Sequence, residues 1–231
     1  MILKKFIVKG LYDTFDYTIP FFRDITFLHG VNGCGKTTIL NIISSILSGS
    51  LKDYPFKEVR LDYIDNCYNF KSISIKRNKG CTSKVKKEFQ NKYLSYPFLT
   101  RENLTAVPAE SINYFLEVIN SFYDTGNYGK RLSYNNGFLI TSNDSNSTEI
   151  FKENMLSLGE KRLLTLFANL ASNDIKRGVY IIDEPELSLH LEWQTKLVDA
   201  LFKINPKVQL IIATHSPDII SHYSNKAIRL F

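Results

Sequence analysis

The sequence has few cysteines and no long apolar run. Its three cysteines, Cys34, Cys67 and Cys81, do not have metal-ligand spacing, and their odd number argues against a disulfide framework. No apolar run is long enough to cross a bilayer as a helix, and the first residues have the pattern of a strand and not of a signal peptide. We therefore expect reduced thiols, no membrane segment and a cytoplasmic protein.

The remaining composition is that of an ordinary globular protein. With 231 residues and 44% apolar content, the chain can form one large domain with a buried core. The net charge of +6 permits contact with nucleic acid or with an acidic partner. A protein that binds a triphosphate is also basic, so the net charge alone does not distinguish a nucleic-acid-binding protein, a protein with an acidic partner and a nucleotide-binding protein.

A glycine-rich loop at residues 30–38 is the most informative stretch. It satisfies the pattern G-x-x-x-x-G-K-[ST], follows an apolar run that predicts a buried strand, and precedes a helical pattern. Such a loop wraps a phosphate with its N–H groups, and the helix start adds a positive dipole. Lys36 is predicted to reach the β- and γ-phosphates, and Thr37 to ligate Mg²⁺. The predicted nucleotide-binding residues here are Gly30, Asn32, Gly33, Cys34, Gly35, Lys36, Thr37 and Thr38.

One alternative interpretation of this loop is a simple turn. A glycine-rich turn with a solvated lysine would not account for the order strand, loop, helix.

Cys34 lies inside the loop, where Lys36 and nearby N–H groups favour a thiolate. We therefore expect alkylation of Cys34 by a maleimide to block nucleotide binding, and bound nucleotide to protect the thiol.

Strand patterns precede the loop, while the middle third of the chain is less regular. Residues 2–9 and 15–19 predict an antiparallel hairpin. Within residues 51–155, periodicity and turn residues predict only a few elements, which are an edge strand at 71–77, a helix at 111–123 and a hairpin at 131–141.

The last third alternates strands and helices. Ser157 and Glu160 have the spacing of a capping box, which starts a helix that runs to about Ala171, and such a helix start is an anion site. The apolar patterns that follow predict a strand at 178–183, a helix at 191–204 and strands at 208–213 and 227–231. This alternation predicts a largely parallel sheet, whose ligands bind at the carboxyl ends of its strands.

Polar residues follow two of these strands. Asp183 is predicted to lie on the Mg²⁺ side, Glu184 to orient or deprotonate the attacking water, and His215 to reach the γ-phosphate. The alternatives are that the two carboxylates cap the next helix and that the histidine is structural, as a single histidine more often is.

Together these motifs resemble those of ABC-type ATPases, in the branch of RecF, SMC and OLD-like proteins. The P-loop, the signature at 156–160, the Walker B motif at 181–185 and His215 occur in family order, and residues 186–190 and 213–217 are typical of that branch. The resemblance implies an α/β fold: an ABC-ATPase head, which is a P-loop NTPase with a largely parallel core sheet, an antiparallel N-terminal β-subdomain and an inserted α+β lobe carrying the signature. It implies a single domain, with a nucleotide-binding core at 1–50 and 150–231 and the lobe at 51–149.

The resemblance also implies a mechanism and its ligands, ATP and Mg²⁺. Two heads form a homodimer, or part of a larger oligomer, around two ATP molecules. Ser157 and Gly159 of one head then act on the nucleotide of the other, and residues 187–190 form the D-loop along the interface. Lys36, Glu184 and His215 are assigned catalytic roles.

Some positions depart from the family pattern or stay unassigned. Leu158 stands where the family usually has a small residue. The Q-loop glutamine has no clear counterpart except Gln90, and the adenine contact has two candidates, Lys9 and Tyr12.

Function is narrowed by what the chain lacks. The middle third has no sustained heptads, so we expect no long coiled-coil arm of the SMC type, and with the sequence ending at Phe231 we expect no OLD-type nuclease domain. We expect an ATPase that regulates a separately encoded nuclease or other effector in bacterial DNA maintenance, DNA repair or anti-phage defence. One alternative is a transporter cassette, which predicts a membrane partner and which residues 186–190 disfavour. Another is a nucleotide-gated scaffold with negligible turnover.

Overall fold

The chain forms two compact units in the computed structural model. The first unit comprises Met1–Ser95, Ile175–Pro185 and Lys207–Phe231, and the second comprises Tyr96–Asp174 and Glu186–Pro206. Within these units, the structure describes residues 1–50, 54–76, 92–94, 107–108, 111–124, 130–134, 138–142, 156–171 and 178–231.

Strands and helices of the described residues follow the order expected from the sequence. The strands are β1 (Ile2–Leu11), β2 (Phe15–Pro20), β3 (Ile25–Gly30), β4 (Glu58–Ile64), β5 (Phe70–Lys76), β6 (Lys92–Leu94), β7 (Lys130–Tyr134), β8 (Phe138–Ser142), β9 (Val179–Asp183), β10 (Gln209–Ala213) and β11 (Ala227–Leu230). The helices are α1 (Lys36–Ser48), α2 (Ile112–Asp124), α3 (Leu158–Ala171), α4 (Leu191–Ile204) and the short α5 (Pro217–Ile220), which a 3₁₀ helix (Ser221–Lys226) follows.

An antiparallel sheet in the first unit has the order β2-β1-β4-β5. Its buried face is made by alternate residues, as the period of a strand requires: Phe6 lies opposite Leu61, and Val8 opposite Val59. The predicted hairpin of β1 and β2 is confirmed, and β5 lies at the edge of the sheet as predicted. Strand β4 was not predicted.

The second sheet of this unit is parallel throughout, with the order β11-β3-β10-β9-β6. Every residue of β9 and β10 is buried, as is usual for inner strands of a parallel sheet. This sheet confirms the prediction of a largely parallel core, with β6 as an additional edge strand.

Helix α1 lies in a core lined by both sheets. It begins after Gly35 and ends at Gly49, which adopts φ 70° and donates its N–H to the Ile46 carbonyl. Isoleucines of its buried face pack with Phe6 of β1 and Ile211 of β10. The start of the helix is thereby held at the carboxyl end of β3.

Three helices and a hairpin make up the described part of the second unit. Trp193 of α4 packs edge-on against Phe122 of α2, with ring centroids 6.0 Å apart, and donates its indole N–H to the Phe122 carbonyl at 2.8 Å. Phe167 of α3 packs against the same Phe122 ring at 5.6 Å. The side chain of Asn120 binds both the N–H and the carbonyl of Leu132, which fastens the β7–β8 hairpin to α2.

The bounds of the two units differ from the division that the sequence suggested. Strands β4 and β5 lie within the expected lobe at 51–149 but belong to the first unit, where β4 pairs with β1 and β5 pairs with β4, whereas α4 packs with α2 and α3 in the second. The signature at the start of α3 lies in the second unit, and the P-loop lies in the first.

Candidate functional site

The glycine-rich loop joins β3 to α1. Gly33 and Gly35 adopt left-handed φ values of 86° and 92°, which the sharp turn of the loop requires. A Cβ at Gly33 would meet no atom within 4 Å, so this side of the loop is open. A Cβ at Gly30 would lie 2.5 Å from the carbonyl oxygen of Leu230 in β11, so the neighbouring strand requires glycine there.

The start of α1 has free donor groups. Its N-cap is Gly35, which has no side chain to bind the first N–H groups of the helix. The Lys36 ammonium donates to the carbonyls of Gly30 and Val31 at 3.0 and 3.1 Å, so it bends back over the loop. Asn32 and Thr37 are exposed and Thr38 is half-buried. An anion at this point would meet both the helix dipole and the lysine charge.

The side chain of Cys34 points into the core of the first unit. It is 2% exposed and packs in the same cluster as Leu11 and Ile39. Its Sγ lies 3.9 Å from Lys36 Nζ, and its carbonyl accepts a hydrogen bond from the Tyr17 hydroxyl at 2.9 Å. This burial contradicts the expected accessible thiol, because the packing of α1 turns Cβ inward. The Cys34 backbone remains part of the loop.

The ends of β9 and β10 lie in one row with Leu28 of β3, the strand that leads into the loop. Ala213 of β10 pairs with Leu28 of β3 on one side and with Asp183 of β9 on the other. The N–H of Glu184 donates to the Ala213 carbonyl at 2.8 Å, and the N–H of Thr214 donates to the Leu28 carbonyl at 3.1 Å. The residues after β9 and β10 therefore begin at the level of Leu28, two residues before β3 ends at Gly30.

Glu184 and His215 are brought together at these ends. His215 Nε2 lies 3.6 Å from Glu184 Oε1, and both side chains are partly exposed. Glu184 adopts φ 45°, which an L-residue with a long side chain rarely does, and such strain is concentrated at functional sites. Asp183, one residue earlier, is 7% exposed.

The turn that carries His215 is held by hydroxyl groups. Thr214 Oγ1 accepts the N–H of Ser216 at 2.9 Å, and Ser216 Oγ caps α5 by accepting the N–H of Ile219 at 3.4 Å. Pro217 occupies the first turn of that helix, where its missing N–H costs nothing. These contacts restrain the backbone on the carboxyl side of His215 and at Thr214 before it.

The predicted capping box of the signature is present in the second unit. The N–H of Ser157 donates to Glu160 Oε2 at 2.6 Å, and the N–H of Glu160 donates to Ser157 Oγ at 3.2 Å. Tyr123 of α2 lies beside Glu160, and burial first and this carboxylate second raise the pKa of the phenol. Ser157 itself is exposed, and so is Leu158, at 62%.

Gly159 lies against the loop that follows Walker B. A Cβ on Gly159 would lie 2.2 Å from the backbone carbonyl oxygen of Ser188, and the position of that Cβ is fixed by the backbone of α3. Neither can yield without moving a helix or a loop, so this position excludes any other residue.

Of the two candidates for the adenine contact, Tyr12 contacts the start of α1. Tyr12 is 48% exposed, and its hydroxyl lies 2.9 Å from Thr38 Oγ1. Lys9, the other candidate, lies 3.9 Å from Glu58 in a surface ion pair. Gln90 lies outside the described residues.

In the described parts of the chain, no group of three or more His, Cys, Asp or Glu residues could by itself hold a metal ion. None of the helices in these parts combines the length and apolar character needed to span a membrane.

Comparison with known proteins identifies the family. Residues 87–221 match the family described as "AAA domain, putative AbiEii toxin, Type IV TA system". The match includes the signature, Walker B and His215 and covers more than half of the sequence, so the chain belongs to this family.

Individual relatives match shorter parts. The chain is 33% identical over 86 residues to the "Retron Vc95 probable ATPase" of Vibrio cholerae, which covers 32% of this chain and 17% of that protein. It is 44% identical over 43 residues to the "Septu protein PtuA" of Bacillus thuringiensis, covering 19% and 11% of the two chains. The chain thus spans less than a fifth of the length of either relative.

Solved structures confirm the fold. The SMC head domain from Thermotoga maritima matches with a TM-score of 0.61 and 19% identity, covering 96% of this chain and 92% of that one. Together with the parallel and antiparallel sheets described above, this likeness confirms the α/β ABC-ATPase head expected from the motifs.

Proposed function

We propose that this chain binds ATP with Mg²⁺ at the strand ends of its first unit, hydrolyses it, and thereby regulates a separately encoded effector in anti-phage defence. One observation carries the nucleotide site: the uncapped start of α1, with Lys36, follows β3, while Asp183 and His215 follow the next strands of the same parallel sheet. Ligands of such sheets bind at these ends. A triphosphate with a divalent cation makes use of amide donors, an ammonium and carboxylates together.

Mg²⁺ fits the donor set formed by Thr37 and Asp183. A hydroxyl and a carboxylate supply oxygen ligands, and Mg²⁺ is usually held by one or two protein oxygens together with substrate phosphates. When bound, Mg²⁺ neutralises charge on the transferred phosphoryl group. We assign its protein ligands to the Thr37 hydroxyl and the nearly buried Asp183 carboxylate.

Lys36, Glu184 and His215 are assigned to hydrolysis. Lys36 carries a charge at the mouth of the loop and is assigned to the β- and γ-phosphates. Glu184 is assigned as the base that orients or deprotonates water, and its restrained backbone supports this role. His215, 3.6 Å from Glu184, is assigned to the γ-phosphate.

Tyr12 is the better of the two candidates for the adenine contact. Its half-exposed ring is fixed at the helix start by the Thr38 hydroxyl at 2.9 Å. Lys9 has its charge directed at Glu58 instead. An aromatic face next to the phosphate loop offers a stacking surface for a base.

Hydrolysis is proposed to require a second copy of the chain. Ser157 and Leu158 are exposed at the start of a helix of 14 residues. In the proposed homodimer, Ser157 and Gly159 of one copy complete the nucleotide site of the other. A two-fold interface of this kind holds two nucleotides.

The effector and its setting are proposed from the relatives. Two of them carry the names of a retron ATPase and a Septu protein, which favours anti-phage defence over DNA repair among the settings expected from the sequence. The matches cover only part of each relative, so the relatives' names do not by themselves assign a partner to this chain. The regulation of a separate nuclease or other effector is therefore part of our proposal.

Mixed dimers test the shared site. Ser157→Arg places a bulky charge at the signature, and Lys36→Ala removes the charge aimed at the phosphates. Each pure variant should hydrolyse MgATP slowly or not at all, although Ser157→Arg should still bind ATP. In a mixed dimer one site carries both lesions and the other carries neither, so turnover should return.

Sedimentation and phosphate release are measured on the pure and mixed samples. Recovered turnover in the mixture supports sites that are completed in trans. A mixture as inactive as its parents, although heterodimers form, would contradict it. Absence of hydrolysis by the wild-type protein would contradict the proposed ATPase activity itself.

A further inference from the structure

The segment Leu187–His190 is fastened to helices of its own unit. Arg162 Nη1, on the first turns of α3, donates to the Leu187 carbonyl at 2.6 Å. Gln194 Nε2 of α4 donates to the Leu189 carbonyl at 2.9 Å, and the Leu189 N–H donates to the carbonyl of Glu186. The segment is thus tied to the helices on both sides of it.

Gly159 makes the approach of this segment to α3 closer than any side chain would allow. Its Cβ position lies 2.2 Å from the Ser188 carbonyl oxygen. Ser188 adopts φ 67°, so the loop turns sharply where it passes over the helix start. Arg162 and Gly159 lie one helical turn apart. Arg162 binds the Leu187 carbonyl, and Gly159 leaves room for the next carbonyl of the loop, that of Ser188.

The same segment follows Glu184 closely along the chain. The segment Ile175–Pro185 of the first unit ends at Pro185 and the second unit resumes at Glu186, so only Pro185 and Glu186 separate Glu184 from Leu187, whose carbonyl Arg162 binds. Glu184 already adopts the restricted φ of 45°. With so short a connection, the position of Leu187 limits the positions open to Glu184.

We propose that Arg162 is a positioning residue for ATP hydrolysis, acting through the Leu187 carbonyl on Glu184 of its own chain. The Arg162 guanidinium binds the Leu187 carbonyl at 2.6 Å, and Gly159 lets the Ser188 carbonyl approach α3 closely. These two features hold the loop after Walker B against the signature helix. This inference rests on the proposed ATPase activity. It differs from the role given to Ser157, which acts on the nucleotide of the other copy.

Three substitutions test whether ATP turnover depends on Arg162. Arg162→Ala removes the donor, Arg162→Lys keeps the charge without the planar fork, and Lys161→Ala removes an equal charge from the same turn as a matched control. We expect Arg162→Ala to lower kcat by about tenfold, as the loss of a charge-assisted hydrogen bond does, and to change ATP affinity by less than about twofold. Lys161→Ala should behave as wild type, and guanidinium ion at non-denaturing concentration should restore part of the turnover of Arg162→Ala.

Hydrogen exchange tests the positioning without reference to ATP hydrolysis. In nucleotide-free protein, amides of residues 187–190 should exchange several-fold faster in Arg162→Ala, while those of β9 stay unchanged. Gly159→Ala should give the same local signature, and Arg162→Lys serves if Arg162→Ala does not fold. Unchanged exchange at 187–190 in the folded variants overturns the inference, whether or not the wild-type protein proves to be an ATPase.

Mixed dimers distinguish action on the same chain from action on the partner. Arg162→Ala is mixed with Lys36→Ala, in parallel with the mixture of Ser157→Arg and Lys36→Ala. If Arg162 serves Glu184 of its own chain, each site of the mixed dimer carries one lesion and turnover stays low. Recovery equal to that of the Ser157→Arg mixture would overturn the assignment.

Discussion

Replacing Glu184 by glutamine removes a carboxylate and keeps the shape of the side chain. The N–H of Glu184 donates to the Ala213 carbonyl at 2.8 Å, and glutamine retains this backbone bond. Both residues carry the same cost of a left-handed backbone, about 1–2 kcal/mol, so the substitution neither adds nor relieves strain. The lost contact is that with His215 at 3.6 Å, between side chains that are about one-third exposed.

The expected change in stability is therefore small. A partly exposed pair of this kind contributes less than about 1 kcal/mol, which for a chain of this size shifts Tm by less than about 4 °C. Turnover should respond differently, because a general base contributes about 100-fold or more to the rate. A 100-fold loss corresponds to about 2.7 kcal/mol of transition-state stabilisation, well above the change expected in folding.

Phosphate release at saturating MgATP measures the turnover of Glu184→Gln, and a fluorescent ATP analogue measures its affinity. Binding should be retained, because Lys36, Thr37 and Asp183 are untouched. Glu186→Gln removes the same charge two residues further along and should keep wild-type turnover. Undiminished turnover in Glu184→Gln would remove Glu184 from its role, and an equal loss in Glu186→Gln would show that local charge and not the base is responsible.

Two further predictions concern groups of the first unit. Because Cys34 is 2% exposed, folded protein should react slowly with a maleimide whether or not MgATP is present and rapidly once unfolded, as followed by mass spectrometry; fast labelling that MgATP prevents would contradict the buried position. At Asp62, burial alone would raise the pKa, but hydrogen bonds from Arg60 and Ser72 outweigh it and lower the pKa. Its folded pKa thus lies below the unfolded value of about 3.9, so its contribution is present above that pH and is lost as pH falls through the folded pKa. Asp62→Asn should be less stable by about 1–2 kcal/mol at pH 7, with a difference that shrinks below about pH 4 in urea unfolding; a difference independent of pH would refute this reasoning.

Local pattern predicted the elements that carry the motifs. The three-residue spacing of Ser157 and Glu160 is enough to specify a capping box, and both of its hydrogen bonds are present. The predicted helix at 191–204 has the same bounds as α4. These features depend on neighbours in sequence, which periodicity and capping rules describe.

Strand β4 was missed although its signal was available. Val59, Leu61 and Tyr63 alternate with charged residues and are all buried. The charged residues of this alternation include Arg60 and Asp62, which bind each other at 2.8 Å. Pairing with β1, over fifty residues away in the sequence, decides that this stretch is a strand.

Other features of the site depend on packing between distant residues and cannot be predicted from patterns in a single sequence. The inward direction of Cys34 follows from the position of α1 between the two sheets. Arg162 reaches a backbone carbonyl 25 residues away, and any residue type at position 187 would supply that acceptor. Residue identity alone therefore cannot predict this contact.

The motif glycines meet different requirements, which affects how their variants are interpreted. At Gly30 and Gly159 a Cβ would lie 2.5 and 2.2 Å from carbonyl oxygens of this same chain, so a side chain is excluded before any nucleotide is considered. At Gly33 the space is open, and only its φ of 86° and the approach of a ligand demand glycine. Loss of activity on substituting Gly159 would thus report on the loop at Ser188 as much as on a nucleotide. Ser157, whose side chain is exposed, probes the signature contact more directly, because its replacement leaves that loop in place.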